Sequence, residues 1–245
     1  MNMEFHQIGN SNAGRFELFL PVSGETIADF SEVPEIILGY VGLEPIAVEQ
    51  SLQTKLDQIE TATVRRFRDL LLSFPPISLL EFDGSWEVRF CCSRNPADFS
   101  SGVNFFLPAG HHNIQAELAK FADSYDVQSP ELFEFFTHFY GLSSASFWHG
   151  FSSTLSPFSF LELEIDEDWE DAVILFSEGN GDMLLMNEEQ EVGWWYHESN
   201  EIGYFADSFA ECLEKYIDFK MKYLDHFGSY TSYSPKKPRE PPIAG

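Results

Sequence analysis

Carboxylates are the side chains of this sequence that are most able to bind a partner or take part in a reaction, and they concentrate in one region. From Phe121 to Glu214, 94 residues include 21 Asp and Glu and no Lys or Arg. The densest part is a segment with seven carboxylates: Glu162, Glu164, Asp166, Glu167, Asp168, Glu170 and Asp171. A folded segment of this kind repels itself and attracts cations. Three interpretations are open: a solvated loop, which charge runs usually form, a docking surface for a basic partner, and a calcium site.

The calcium site has the least support of these three. Calcium takes about six to eight oxygen ligands, and its binding loops need a glycine at a tight bend. The segment 162–171 contains no glycine and does not match the EF-hand spacing. No Cys-x-x-Cys or Cys/His ligand spacing occurs elsewhere in the chain. We therefore expect neither a metal nor another cofactor.

The aromatic run Trp194-Trp195-Tyr196 is the second candidate binding feature. On a strand, alternation puts Trp194 and Tyr196 on one face and Trp195 on the other. At least one face should be core, and Trp195 is the candidate outward anchor because Trp and Tyr dominate interface hot spots. Packing of the whole run is the simpler interpretation, and an outward anchor at Trp195 is the alternative. Flanking carboxylates would form an acidic rim around this anchor: Asp182, Glu188, Glu189, Glu191, Glu198 and Glu201.

Catalytic patterns are weak by comparison. The segment 150–154 contains Ser152 but lacks the second glycine of a nucleophile elbow. Cys91 and Cys92 have histidines downstream, but spacing alone does not define a Cys–His pair. Small buried apolar cysteines are the simpler interpretation. The chain is therefore predicted not to be an enzyme.

Composition limits the partners and the compartment. The chain has 245 residues, a net charge of -26 and a hydrophobic share of 44%. Nucleic acid and anionic membrane surfaces repel such a molecule, so neither is an expected partner. The three cysteines do not form a disulfide framework, and reduced thiols are expected. No signal peptide and no 18-residue apolar run occur, which favours a cytoplasmic protein.

The first part of the chain reads as a mixture of strands and one helix. Apolar spacing predicts a strand at 15–22 and a single amphipathic helix over 50–74, which Pro75-Pro76 ends. A strand pair is expected over 78–92, turning at Asp83-Gly84, with another strand at 103–107. A weakly marked boundary near 108–112 would make 1–110 an α+β extension or a small domain.

The second part predicts helices around a β-meander. Helices are expected at about 112–124, from Ser129-Pro130 to Gly141, and from Ser208 onward. Ser208 and Glu211 have the spacing of a capping box at the start of this last helix. Their apolar faces are one stripe at Leu132, Phe135, Phe136 and Phe139, and another at Phe209, Cys212, Leu213, Tyr216 and Ile217. Three strands are expected at 172–176, 183–186 and 192–196. The domain would span 111–227, followed by a disordered tail at 228–245.

This order of elements resembles the SUKH superfamily, which includes fungal cell-wall-synthesis regulators and bacterial immunity proteins. Three segments carry the resemblance: the proline-initiated helix at 129–141, the strand–turn–strand at 174–186 with Gly-Asp in its turn, and the strand at 192–199 that leads into the last helix. It covers residues 125–222. The family helix often ends in Asn-Gly or Gly-Gly, whereas this one ends in Tyr140-Gly141. The first 110 residues have no counterpart.

The resemblance implies an α+β fold in which helices pack against a curved antiparallel sheet, with an additional N-terminal region. It also implies binding rather than catalysis. In bacteria such proteins neutralise a cognate toxin, often a basic nuclease or deaminase. The expected function is therefore that of an acidic immunity protein that occludes a toxin domain. A regulatory scaffold that binds an endogenous protein is the alternative.

Overall fold

A computed structural model gives the fold of the chain. It describes residues 6–7, 15–30, 33–82, 85–92, 103–109, 119, 129–139, 143–144, 152–157, 169, 172–177 and 181–225. Six helices and eleven strands lie in these ranges, and the strands form two antiparallel sheets. The predicted α+β class is confirmed.

The first sheet is a meander of six strands in the order of the sequence, β1-β2-β3-β4-β5-β6. Its strands are β1 (His6–Gln7), β2 (Arg15–Phe19), β3 (Pro76–Phe82), β4 (Ser85–Cys92), β5 (Val103–Ala109) and β6 (Ser143–Ser144). Four helices connect β2 to β3: α1 (Gly24–Ile27), α2 (Glu35–Leu38), α3 (Pro45–Leu56) and α4 (Ala62–Leu72). The strands predicted at 15–22, 78–92 and 103–107 are confirmed.

The second sheet has five strands in the order β11-β10-β9-β8-β7. These are β7 (Ser152–Pro157), β8 (Val173–Ser177), β9 (Met183–Met186), β10 (Val192–Tyr196) and β11 (Glu201–Ala206). The helix α5 (Pro130–Phe139) precedes this sheet and α6 (Phe209–Asp225) follows it. The predicted three-strand meander is confirmed as β8, β9 and β10, whereas β7 and β11 were not predicted.

Both helices of the second part begin as their sequences predict. The Ser129 hydroxyl accepts a hydrogen bond from the Leu132 backbone N–H at 3.3 Å, and Pro130 is the first residue of α5. At α6, the Ser208 hydroxyl accepts from the Glu211 N–H at 3.2 Å. The Glu211 carboxylate accepts in return from the N–H of Asp207, one residue earlier than in the standard capping box. The apolar stripes of both helices are buried.

An aromatic cluster joins the first part of the chain to the second. Phe67 of α4 is fully buried and lies between α5 and α6. Its ring centroid is 5.1 Å from that of Phe135, 4.9 Å from that of Phe139 and 6.2 Å from that of Tyr216. The main hydrophobic core thus crosses the boundary predicted at 108–112. Three predicted features lie outside the described residues: the turn at Asp83-Gly84, the helix end at Gly141 and the tail at 228–245. Of the helix predicted at about 112–124, only Ala119 is described, and it is helical.

The single helix predicted over 50–74 is wrong. The structure has α3 and α4 there, with extended backbone at Thr61 (φ −73°, ψ 142°) between them. The Glu134 carboxylate of α5 accepts hydrogen bonds from the backbone N–H groups of Glu60 and Thr61, the latter at 2.8 Å, and from the Thr61 hydroxyl. A side chain about 70 residues away therefore caps α4. Local periodicity does not reveal a cap that comes from a distant helix.

We expect Glu134→Gln to lower the free energy of unfolding by about 1–2 kcal/mol at neutral pH, because a neutral amide with one acceptor oxygen replaces an ionised carboxylate with two. Burial raises the pKa of Glu134, but the hydrogen bonds from Glu60 and Thr61 and the nearby His138 outweigh it and hold the pKa below its ordinary value. A lowered folded-state pKa adds stability above the unfolded-state pKa, and this stability is lost as the pH falls through the folded-state pKa. The difference between wild type and variant should therefore shrink below about pH 4.5.

Urea unfolding at several pH values measures this effect. The matched control is Glu131→Gln, which removes the same charge from the first turn of the same helix. It should cost less, since only a helix-dipole interaction is weakened. Equal losses in the two variants at every pH would show that Glu134 does not cap α4.

Candidate protein-interaction surface

The predicted acidic segment is only partly described by the structure. Its seven carboxylates lie outside the described residues: Glu162, Glu164, Asp166, Glu167, Asp168, Glu170 and Asp171. Trp169, within the same segment, is described and is buried. The docking role of these carboxylates stays a prediction.

Trp169 belongs to a second, smaller cluster on the face of the second sheet that points away from the helices. We call it the outer cluster; its buried members are Trp169, Ala172, Ile174, Leu185 and Trp195. Gly193 makes room for it, because a Cβ at this position would lie 2.7 Å from Cη2 of Trp169 and 2.9 Å from Cγ2 of Ile202. Both faces of this sheet are therefore packed.

Trp195 is a buried residue, so the expectation of an outward anchor at this position is wrong. Only 6% of its surface is exposed, and its indole N–H donates to Oδ1 of Asn200 at 2.9 Å. The predicted alternation is correct: Trp194 faces the main core and Trp195 the other side. The error lies in assuming that the second face is open to solvent, since Trp169 packs there.

The described carboxylates of the predicted rim do not surround Trp195. The turn 187–191 precedes β10 and the turn 197–200 follows it, so they lie at opposite ends of the strand, about 15 Å apart. Three carboxylates belong to the first end: Glu188, Glu189 and Glu191. The other three belong to the second: Asp182, Glu198 and Glu201. The rim around Trp195 is therefore replaced by two acidic ends of one sheet.

The first end contains Tyr204 of β11, the one large aromatic side chain that is largely exposed among the sheet residues whose burial is described. It is 48% exposed, and its hydroxyl donates to the Asp207 carboxylate. This hydrogen bond, together with the charges of Asp207, Glu211 and Glu191, raises the pKa of Tyr204 to about 12. The hydroxyl therefore stays protonated at physiological pH, and three carboxylates act on one exposed ring. We call Tyr204, Asp207, Glu188, Glu189 and Glu191 the Tyr204 surface.

A single cation lies beside the described part of the Tyr204 surface, and its donors are engaged. Lys215 Nζ is 2.9 Å from Glu211 Oε1 and donates to the Phe205 carbonyl at 2.6 Å. It also lies 5.4 Å from the centroid of the Phe205 ring. Lys215 therefore offsets Glu211, whereas Glu188 and Glu189 are exposed and Glu191, which is half-buried, accepts a hydrogen bond from the Asn187 amide.

The opposite side of α6 is neutralised within the chain. Arg66 of α4 pairs with Glu214 and with Asp218, the latter at 3.0 Å. Arg68 pairs with Asp57 and Asp69 at 3.5 and 2.8 Å. Arg66 and Arg68 thus pair with acids on α6 or near α4, and none of these pairs involves the Tyr204 surface.

The second end is built around contacts between Asp182 and His197. Asp182 accepts from the His197 backbone N–H at 3.1 Å, and its carboxylate is 2.8 Å from His197 Nδ1. Gly181 (φ +98°) lies under the His197 ring. Glu198 and Glu201 are exposed next to this pair. Asp182 therefore orders the hairpin, while the two glutamates point to solvent.

The described residues show little that favours other chemistry. No group of three or more His, Cys, Asp or Glu among them is placed to hold a metal ion. Burial raises the pKa of the Cys212 thiol to about 12, so it is a packed residue rather than a nucleophile. None of the described helices is long and apolar enough to cross a membrane.

Sequence reasoning missed Tyr204 and the strand that carries it. The alternation of Glu201, Ile202, Gly203 and Tyr204 was a usable signal, but glycine within a strand weakens it. The hairpin turn before it contains Asn200 at positive φ (55°), a residue that tolerates this conformation. These two features together would have predicted a fourth strand of the meander.

Comparison with known proteins adds no relatives. No family model matches the chain, and no curated protein or solved structure matches it. The resemblance to the SUKH superfamily therefore rests on the three sequence segments alone.

Proposed function

We propose that this chain is an acidic protein-binding module that binds a basic partner through the Tyr204 surface and does not catalyse a reaction. Its simplest role is that of a cytoplasmic immunity protein of the SUKH type, which occludes a nuclease or deaminase toxin. The observation that supports this proposal best is one exposed tyrosine among carboxylates that no described cation neutralises apart from Glu211.

Two physical terms support binding at this surface. The net charge of -26 steers a cationic partner toward the chain and raises the association rate at low salt. A half-exposed tyrosine gains contact area on docking, and its ring face attracts Arg or Lys. Carboxylates beside it accept charge-assisted hydrogen bonds from the same side chains. Charge thus supports the encounter, and Tyr204 supports the lifetime of the complex.

The test is inhibition of a toxin domain by the chain. The probe is the C-terminal domain of a large secreted protein encoded beside this chain, assayed for nuclease or deaminase activity with and without the chain. We expect stoichiometric inhibition and protection of cells that express the domain. Absence of binding in calorimetry and of protection in cells would contradict the immunity proposal. Binding to an endogenous protein instead would favour the regulatory scaffold.

Neutralising the Tyr204 surface should slow association. We expect Glu188→Gln, Glu189→Gln and Glu191→Gln together to lower the association rate about tenfold at low salt and to flatten its salt dependence. Gln at 191 keeps an acceptor for the Asn187 amide, which donates to Glu191 at 3.1 Å. The matched control removes the same charge from exposed positions of the first part: Glu25→Gln, Asp29→Asn and Glu35→Gln.

Tyr204→Ala tests the anchor separately. It should raise the dissociation rate about 10- to 30-fold, which corresponds to about 1.4–2 kcal/mol. Stopped-flow and surface-binding measurements resolve the two rates. If the surface triple and the control triple slow association equally, net charge acts without a defined site. If Tyr204→Ala leaves dissociation unchanged, the anchor assignment is wrong.

A further inference from the structure

The described sheet edges differ in how well they are protected from pairing with another chain. In the first sheet the outermost strands, β1 and β6, have two residues each. In the second sheet β7 contains Pro157 and pairs irregularly with β8. The other outermost strand, β11, has six residues and neither proline nor lysine. Short strands, proline, lysine and irregular pairing are the usual protections, so β11 is the least protected of these edges.

Protection of β11 is confined to its last residues. Glu201 to Tyr204 pair in regular register with Tyr196 to Gly193, and the register then shifts so that Ala206 pairs with Val192. Phe205 is the extra residue, and its carbonyl accepts a hydrogen bond from Lys215. The stretch 201–204 has no further partner strand among the described residues. It offers about 13 Å of regular edge.

Charge lies along this open edge. Glu201 and Tyr204 are its two exposed side chains, and alternation puts them on opposite faces of the sheet. Glu198 precedes the edge in the turn 197–200, and Asp207 follows it. The edge of β11 therefore connects the two acidic ends that β10 separates. An extended chain along it would meet negative charge at both of its ends.

We propose that the β11 edge accepts an extended basic segment of the partner as an added strand. This proposal rests on the proposed function, since it states how the basic partner docks. Backbone hydrogen bonds to 201–204 would supply affinity, as in other strand-addition complexes. An Arg or Lys opposite Glu201 and an apolar residue on the face of Tyr204 would supply specificity. A partner with alternating basic and apolar residues fits this edge.

The probe is a synthetic peptide of about eight residues that alternates Arg and Val, long enough to cover the stretch 201–204. Two N-methylated forms are its controls, with methyl groups on one or the other set of alternate amides. Only one set points toward β11 in an added strand, because amides alternate in direction. We expect one form to bind at least about tenfold more weakly and the other to bind as the parent does.

Hydrogen exchange supplies an independent measurement. Backbone amides in 201–204 should gain protection when the parent peptide binds, and the weakly binding form should give none. Glu201→Lys should weaken binding of the parent peptide. Glu35→Lys, an equal charge reversal at an exposed position of α2, should have a smaller effect.

Several results would overturn strand addition. Equal binding of both methylated forms, with no new protection in 201–204, would show electrostatic attraction alone and would leave the proposed function standing. No binding of the parent peptide would also overturn it. A concentration-dependent dimer in sedimentation, with protection of 201–204 in the absence of peptide, would assign the edge to a second copy of the chain. If the toxin assay fails but only one of the two methylated forms loses binding, the immunity role is contradicted and strand addition is not.

Discussion

Trp195→Ala is expected to lower the free energy of unfolding by about 3–5 kcal/mol, because it empties the centre of the outer cluster. The indole packs among Trp169, Ile174 and Leu185 and is almost completely buried. Its N–H also donates to Asn200 in the turn between β10 and β11. The substitution thus removes a large apolar side chain and a contact that orders the turn. Urea unfolding followed by circular dichroism measures the loss.

Trp195→Phe separates these two contributions. A smaller aromatic ring remains and the hydrogen bond to Asn200 is lost, so a loss of about 1–3 kcal/mol, below that of Trp195→Ala, is expected. Any effect of Trp195→Ala on partner binding should disappear once the folded fraction is taken into account. An unchanged unfolding midpoint together with faster dissociation would instead mean that Trp195 contacts the partner.

Helix starts and strand pairs of this protein follow from short sequence signals. Ser129-Pro130 and Ser208 with Glu211 begin α5 and α6 as expected, because a cap depends on residues within one turn. The strands β8, β9 and β10 follow from short apolar runs between turns. These features need no knowledge of the rest of the chain. They account for most of what could be predicted from the sequence.

The errors have a common physical cause, which is contact between residues far apart in the chain. Glu134 caps α4 from another helix, so local periodicity does not reveal the break between α3 and α4. Trp169 covers the second face of the sheet, so alternation alone does not show whether Trp195 is buried or exposed. A sequence pattern shows that a face is apolar, but it does not show which segment covers that face.

The distribution of the acidic residues has a similar explanation. Glu188 and Glu198 are ten positions apart and flank the same aromatic run, so the sequence predicts one acidic rim around Trp195. Strand β10 separates them, because turns on either side of a strand lie at its opposite ends. The same topology makes β11 an edge strand and joins the two ends along it. Sheet order, which the sequence did not reveal, therefore defines the proposed binding surface.

Arg89→Met is the second prediction with a large expected effect, about 3–5 kcal/mol of destabilisation. Arg89 of β4 is fully buried, and its guanidinium donates to the Glu17 carboxylate of β2 at 2.5 Å. The Ser78 hydroxyl of β3, between them, donates to the same carboxylate oxygen. The substitution leaves the Glu17 charge buried without this arginine, and a buried charge without its counterion costs several kcal/mol.

The double variant Glu17→Leu/Arg89→Met makes this prediction specific to the charge pair. Replacing both charges by apolar groups removes the uncompensated carboxylate, so the double variant should be more stable than Arg89→Met alone. Losses that simply add, within about 0.5 kcal/mol, would show that the pair is not coupled. The pair also bears on binding, because Arg89 is one of only 14 basic residues in the chain. Its charge is neutralised by Glu17 inside the first sheet, and Arg66 and Arg68 are paired near α4. Cations placed in this way stabilise the fold without neutralising the Tyr204 surface.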